Sequence, residues 1–145
     1  MTDPTSPTGA ARLTTADREF LDGPRLGFLS FGRPRAWGQP VPVWFESTDE
    51  GVHLFTETAS RKVARVTAGD WASLVAANEV GEPEHWVAIS GPARLETTGA
   101  GELATRLGAR YWDLTDPRLR AVVDSWRTAD LVRIVVPAAR VRRYG

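Results

Sequence analysis

Short apolar runs recur along the chain at hairpin distances, and this spacing limits the folds open to it more than any other feature. Val52, Leu54 and Thr56 alternate with His53 and Phe55, the period of a half-buried strand. Similar runs cover Leu26–Phe31, Ala36–Ser47, Trp71–Asn78, His85–Leu95 and Asp130–Pro137. Most of the gaps are short and hold Gly, Pro, Asp or Asn: Gly32 to Gly38, Thr48–Gly51, Ala68-Gly69-Asp70 and Glu79 to Glu84. Gaps of that length can join antiparallel strands, whereas a parallel pair needs a crossover of a dozen or more residues. The pattern therefore predicts a mainly β chain, an antiparallel barrel with helical inserts. No G-x-G-x-x-G opens a helix, so a Rossmann reading is poor.

The helical inserts have their own signals. Thr14 can cap a helix carrying Asp17, Phe20 and Leu21, which Gly23-Pro24 stops. Leu103, Leu107 and Tyr111 follow Gly99-Ala100-Gly101 at helical spacing. Asp116 and Pro117 open a further helix, whose Leu119, Val122, Val123 and Trp126 form one stripe expected to pack on the barrel. Within Ala36–Ser47, Pro40 and Pro42 remove ladder donors, which places this strand at an edge or an opening. In His85–Leu95, Val87, Ile89, Gly91, Ala93 and Leu95 point one way. The β-branched run to Pro137 is expected to close the barrel. Residues 1–13 read as a disordered arm rich in Thr, Pro, Ser, Gly and Ala. Residues 14–145 read as one domain.

Composition narrows the functional classes. The chain has 145 residues and is 42% hydrophobic, enough for a real core. Lys+Arg and Asp+Glu are both 18, so no net field favours nucleic acid. The absence of cysteine excludes disulfides and thiolate metal sites, and two histidines make a histidine-rich site a poor reading; no metal site is expected. No run reaches membrane-spanning length and no signal-peptide core is visible, so a cytoplasmic protein without membrane contact is expected. G-x-S-x-G, H-E-x-x-H and the Walker sequence are absent, and no carboxylate pair stands out. The sequence thus nominates no catalytic residue.

One stretch does carry chemistry. Phe55-Thr56 ends a strand, and Ser60-Arg61-Lys62 opens a short helix whose free N–H groups Ser60 is placed to cap. Cations in a first helical turn are disfavoured by ~0.3–1 kcal/mol each. Hydroxyls, free N–H groups and two cations at one point suit an anion, most simply a phosphate; solvated surface charges are the plain alternative. Lys62 is the only lysine in the chain.

These residues resemble the phosphate segment of the pyridoxamine 5′-phosphate oxidase-like, FMN-binding split-barrel superfamily. Pro40-Val41-Pro42-Val43-Trp44-Phe45 resembles the strand along the flavin ring, and Trp86-Val87-Ala88-Ile89-Ser90-Gly91-Pro92-Ala93-Arg94-Leu95 a further strand of the family. The resemblance runs from about Ala16 to Tyr144. It implies an antiparallel split β-barrel homodimer with cofactor sites at the interface. It also implies FMN, or alternatively the deazaflavin F420, and hydride transfer with a small organic substrate. A flavin supplies its own redox atom, which suits a chain without catalytic motifs. A non-catalytic flavin-binding protein is the other class. By resemblance, Thr56, Ser60, Arg61 and Lys62 would grip the phosphate, with Phe55 a cofactor-binding residue of the same segment, and the backbone and side chains of Val43, Trp44 and Phe45 would meet the ring. Trp86 is either a core or interface aromatic or a cover for the ring. The family's second-strand lysine is missing, with Phe45 about there. The ending Arg142-Arg143-Tyr144-Gly145 lacks the Arg-Leu-x-Pro of the biosynthetic oxidases, which implies another substrate. For F420, whose tail adds several negative charges, Arg33, Arg35 and Arg65 could form a basic exit path.

Overall fold

The computed structural model describes residues 12–145. The arm expected over residues 1–13 falls almost wholly outside them, although Leu13 already packs against the core. In chain order the elements are α1 (Thr15–Leu21), β1 (Gly27–Arg33), β2 (Ala36–Trp37), β3 (Val41–Val43), β4 (Glu46–Ser47), β5 (Gly51–Glu57) and α2 (Arg61–Thr67). There follow β6 (Trp71–Ala77), β7 (Trp86–Pro92), β8 (Arg94–Glu96), α3 (Ala100–Tyr111), α4 (Pro117–Ser125), β9 (Leu131–Pro137) and β10 (Arg140–Tyr144).

The strands form two antiparallel sheets. One has the order β10-β7-β6-β1-β2, with β3 also paired to β1; the other has the order β4-β5-β9-β8. Alternation builds the space between them. Ala72, Leu74 and Ala76 of β6 and Val87 and Ile89 of β7 are buried, as are Val52 and Leu54 of β5 and Ile134 and Val136 of β9. Fully burying each of the Val, Leu and Ile side chains contributes roughly 1.5–3 kcal/mol. The two sheets meet closely at Gly91, where a Cβ would lie 2.3 Å from the Pro137 carbonyl oxygen. Any side chain there would push β7 off β9.

Three expectations are corrected, and one strand that the sequence did not announce is added. The single strand over Ala36–Ser47 is three short strands. Pro40 lies in the gap between β2 and β3 and has no N–H to extend the ladder, Pro42 sits within β3 opposite Phe28, and the segment then passes from β1 to the second sheet, where β4 pairs with β5. The run to Leu95 likewise divides at Pro92-Ala93, with β7 in one sheet and β8 in the other. β9 does not close a barrel; it lies between β5 and β8. Finally, the Arg-rich C-terminal stretch is a strand, β10, paired with β7 from Arg140↔Ser90 to Tyr144↔Trp86. It is an edge strand with little apolar alternation, because charged residues are what an open edge tolerates.

The helices cover the ends of this framework. Thr14 and Asp17 cap α1 reciprocally: the Thr14 hydroxyl accepts from the Asp17 N–H at 3.0 Å, and the Asp17 carboxylate accepts from the Thr14 N–H at 2.8 Å. α3 buries Leu103, Ala104, Leu107 and Gly108, and Val123 of α4 seats on bare Gly108. The expected stripe on α4 is only partly buried: Val123 is covered, but Val122 is exposed.

Candidate functional site

The predicted motif residues converge where β3 ends, β5 ends and α2 begins. Two adjoining cavities lie there and share Phe55. One, of about 400 Å³, is walled by Leu26, Pro42, Val43, Trp44, Phe55 and Lys62. The other, of about 300 Å³, is lined by Phe55, Thr56, Glu57, Ser60, Trp126, Ala129 and Leu131. The first is an apolar wall with a single charge. The second is the hydroxyl-bearing one, because the Thr56 hydroxyl donates to Ser60 Oγ at 2.9 Å.

The local fold explains that geometry. The β5 ladder runs Glu57↔Leu131 before the chain turns. The turn is pinned by the Ser60 N–H donating to the Glu57 carbonyl at 3.0 Å. It is pinned again by the Thr58 hydroxyl donating to Asp130 Oδ2 at 2.7 Å. Ser60 takes the N-cap backbone conformation of α2, but its side chain makes no cap hydrogen bond; it accepts from Thr56 instead. Arg61 is exposed and lines neither cavity, and neither Arg61 nor Lys62 has a carboxylate partner among the described residues.

Phe45, expected at the ring, is fully buried. Where the chain crosses between sheets its ring turns inward beneath the Arg110 guanidinium, 5.9 Å from the ring centre. Its N–H donates to the Tyr111 hydroxyl. It is a core residue, and its side chain is not presented to either cavity. Trp86 lies elsewhere: with Trp37, Arg35, Arg140 and Arg142 it lines a groove of about 540 Å³ on the outer face of the larger sheet. Tyr144 stacks beside it at 6.3 Å. Within one chain Trp86 is thus not brought to the Ser60-Arg61-Lys62 turn.

Sequence reasoning missed an aromatic cluster behind the cavities. Trp44 stacks on Tyr111 at 5.1 Å and meets Trp112 edge-on at 4.8 Å, while Trp126 contacts Phe55 at 5.0 Å and Trp112 at 5.9 Å. The Tyr111 hydroxyl donates to the Arg25 carbonyl at 2.6 Å, tying α3 to the segment before β1. Such pairs add about 0.5–1.5 kcal/mol each beyond area burial and fix the rotamers of the wall. The available signal was the six tryptophans and the Tyr111-Trp112 pair at the end of α3.

The two histidines stand apart from both cavities. His53 is buried; its ring nitrogens contact Thr48 Oγ1 at 3.2 Å and Arg133 Nη1 at 3.1 Å. Burial first, and then the Arg133 charge, hold its pKa below the ordinary value. His85 packs edge-on to Phe20 at 4.4 Å. Among the described residues no group of three or more His, Cys, Asp or Glu side chains could hold a metal ion. No helix there is long and apolar enough to cross a membrane.

Comparison with solved structures fits this framework. An F420 reductase matches with TM-score 0.67 at 21% identity, covering 86% of this chain and 94% of its own. The conserved hypothetical protein Rv2991 from Mycobacterium tuberculosis matches with TM-score 0.66 at 18% identity, covering 90% and 84%. The fold is the split barrel. HutZ, the heme storage protein from Vibrio cholerae, has it too, with TM-score 0.62 at 11% identity over 92% of this chain and 94% of that one. No protein-family model matches the chain, and no curated protein is a significant match. A fold that serves both an F420 reductase and a heme storage protein does not choose a ligand; the residues must.

Proposed function

We propose that this split-barrel chain is a flavin-dependent oxidoreductase that takes FMN and transfers hydride to or from a small organic substrate. The observation that carries the reading is the pair of cavities sharing Phe55. An apolar wall of Val43, Trp44 and Phe55 adjoins a cavity with the Thr56–Ser60 hydroxyl pair and exposed Glu57, and Arg61, just outside that lining, follows Ser60 directly in the chain. That order, ring wall then anion donors, matches a tricycle followed by a phosphate. The ring, when bound, supplies the hydride chemistry. The protein's residues supply the rest: the Trp44 and Phe55 faces position and cover the ring, Arg61 and the two hydroxyls hold the phosphate, and the aromatic cluster excludes water.

Specific residues separate FMN from heme and from F420. Heme is disfavoured because neither cavity contains a histidine. F420 would need a basic path beyond the phosphate. Arg33 and Arg65 do share a cavity, but Arg65 faces Asp70 at 3.6 Å there, which offsets its charge. Arg35 lies in the Trp86 groove instead. FMN is therefore preferred. A non-catalytic flavin carrier differs in one respect: its bound, reduced cofactor would not be turned over by added acceptors.

The working unit is a homodimer in this reading. The Trp86 groove is the complementary half-site, brought by a second copy onto the first copy's ring cavity. Exposed Phe28, Trp37 and Tyr144 give that face the apolar surface an interface needs. The phosphate assignment is tested with Arg61→Ala. Hydrogen bonds to charged groups contribute ~1.5–3 kcal/mol, so FMN should bind roughly ten- to a hundred-fold more weakly. Unchanged affinity would remove Arg61 from the site.

A further inference from the structure

We infer that Lys62 is the ring-side cation of the site, setting the balance between oxidised and reduced cofactor, and is not a phosphate ligand. The inference rests on the flavin reading above and deepens it. Three observations carry it. Lys62 is the one charged residue on the apolar wall made by Leu26, Pro42, Val43, Trp44 and Phe55. It does not line the neighbouring cavity, where the Thr56 and Ser60 hydroxyls lie. It is half-buried and has no carboxylate partner among the described residues.

The physics follows from charge. Two-electron reduction of a flavin-type ring places negative charge on its pyrimidine side when the added proton is not retained there. A cation on a low-dielectric wall stabilises that charge far more than it would in bulk water. Lys62 therefore binds the reduced ring more tightly than the oxidised one and raises the potential of the couple. A phosphate ligand would favour both states equally, since the phosphate does not change charge on reduction. The two roles make opposite demands on a ligand that lacks phosphate.

The test uses the full-length protein and measures dissociation constants for oxidised and reduced FMN, and for oxidised and reduced lumiflavin, which is the ring alone. With Lys62→Met we expect the reduced forms of both ligands to weaken at least tenfold more than the oxidised forms. For a two-electron couple that ratio is about 30 mV. Lys62→Arg should restore most of the difference, which a merely structural role would not give. Equal weakening of oxidised and reduced FMN, with lumiflavin unaffected, would overturn the inference and return Lys62 to the phosphate. Unchanged ratios for both ligands would overturn it as well, while leaving the flavin reading standing. Failure of the parent protein to bind either oxidised ligand would overturn the flavin reading and this inference together.

Discussion

Replacing Asp17 with asparagine should destabilise the chain by about 2 kcal/mol at neutral pH. The Asp17 side chain is only 3% exposed. It accepts from the Thr14 N–H at 2.8 Å and from Arg143 Nε and Nη2 at 3.0 and 2.8 Å. The capping part contributes ~0.5–2 kcal/mol, and hydrogen bonds to a charged group ~1.5–3 kcal/mol. Asparagine keeps one acceptor, and Arg143 is 43% exposed, so water can replace much of what it loses. Roughly 2 kcal/mol remains, which in a domain of this size lowers Tm by about 4–8 °C. Burial alone would raise the Asp17 pKa, but the Arg143 guanidinium and the Thr14 amide and hydroxyl outweigh it, and the net shift is downward. A group with a depressed folded pKa stabilises above its unfolded pKa, and this contribution is lost as pH falls through the folded one. The gap between parent and variant should thus be full at neutral pH and shrink below about pH 4. Urea unfolding followed by tryptophan fluorescence at a series of pH values measures it. A variant within about 0.5 kcal/mol of the parent at neutral pH, the range of an unremarkable surface change, would refute the reasoning. So would a gap that does not vary with pH.

Two further outcomes follow from the geometry. Light scattering should find a dimer for the parent, and Trp86→Ala should weaken both self-association and cofactor binding; a parent that is monomeric with cofactor bound would contradict the shared site. His53, whose pKa is lowered by burial and then by Arg133, contributes stability that is complete above its ordinary value of 6.5 and declines as pH falls below it. His53→Gln should flatten that decline in urea unfolding between neutral and mildly acidic pH, and an unchanged slope would exclude His53 as its source.

Much of the fold was legible because alternation is a local signal. Val52, Leu54, Leu74, Val87 and Ile89 announce their faces within a few residues, and Thr14 with Asp17 announces a cap. The strand crossings were not legible. Pro92-Ala93 carries no mark showing that β7 and β8 belong to different sheets; that follows from packing Gly91 against Pro137. β10 was hidden because its outward residues are arginines, the ordinary dress of an edge. At the site, Thr56, Ser60 and Lys62 could be read from one continuous stretch. Trp126 could not, because it reaches Phe55 only through the folding of α3 and α4 across β5. Phe45 misled for a similar reason. Val43 and Trp44 reach the cavity, but the crossing that follows turns the next ring into the core.

The most direct measurement of the central claim is an absorbance titration of apoprotein with FMN and, separately, with F420. The account predicts micromolar or tighter binding of FMN, a perturbed flavin spectrum from contact with Trp44 and Phe55, and no saturable binding of F420. Tight F420 binding with none for FMN would contradict it, and would mean that Arg33 and Arg65 carry an anionic tail despite Asp70.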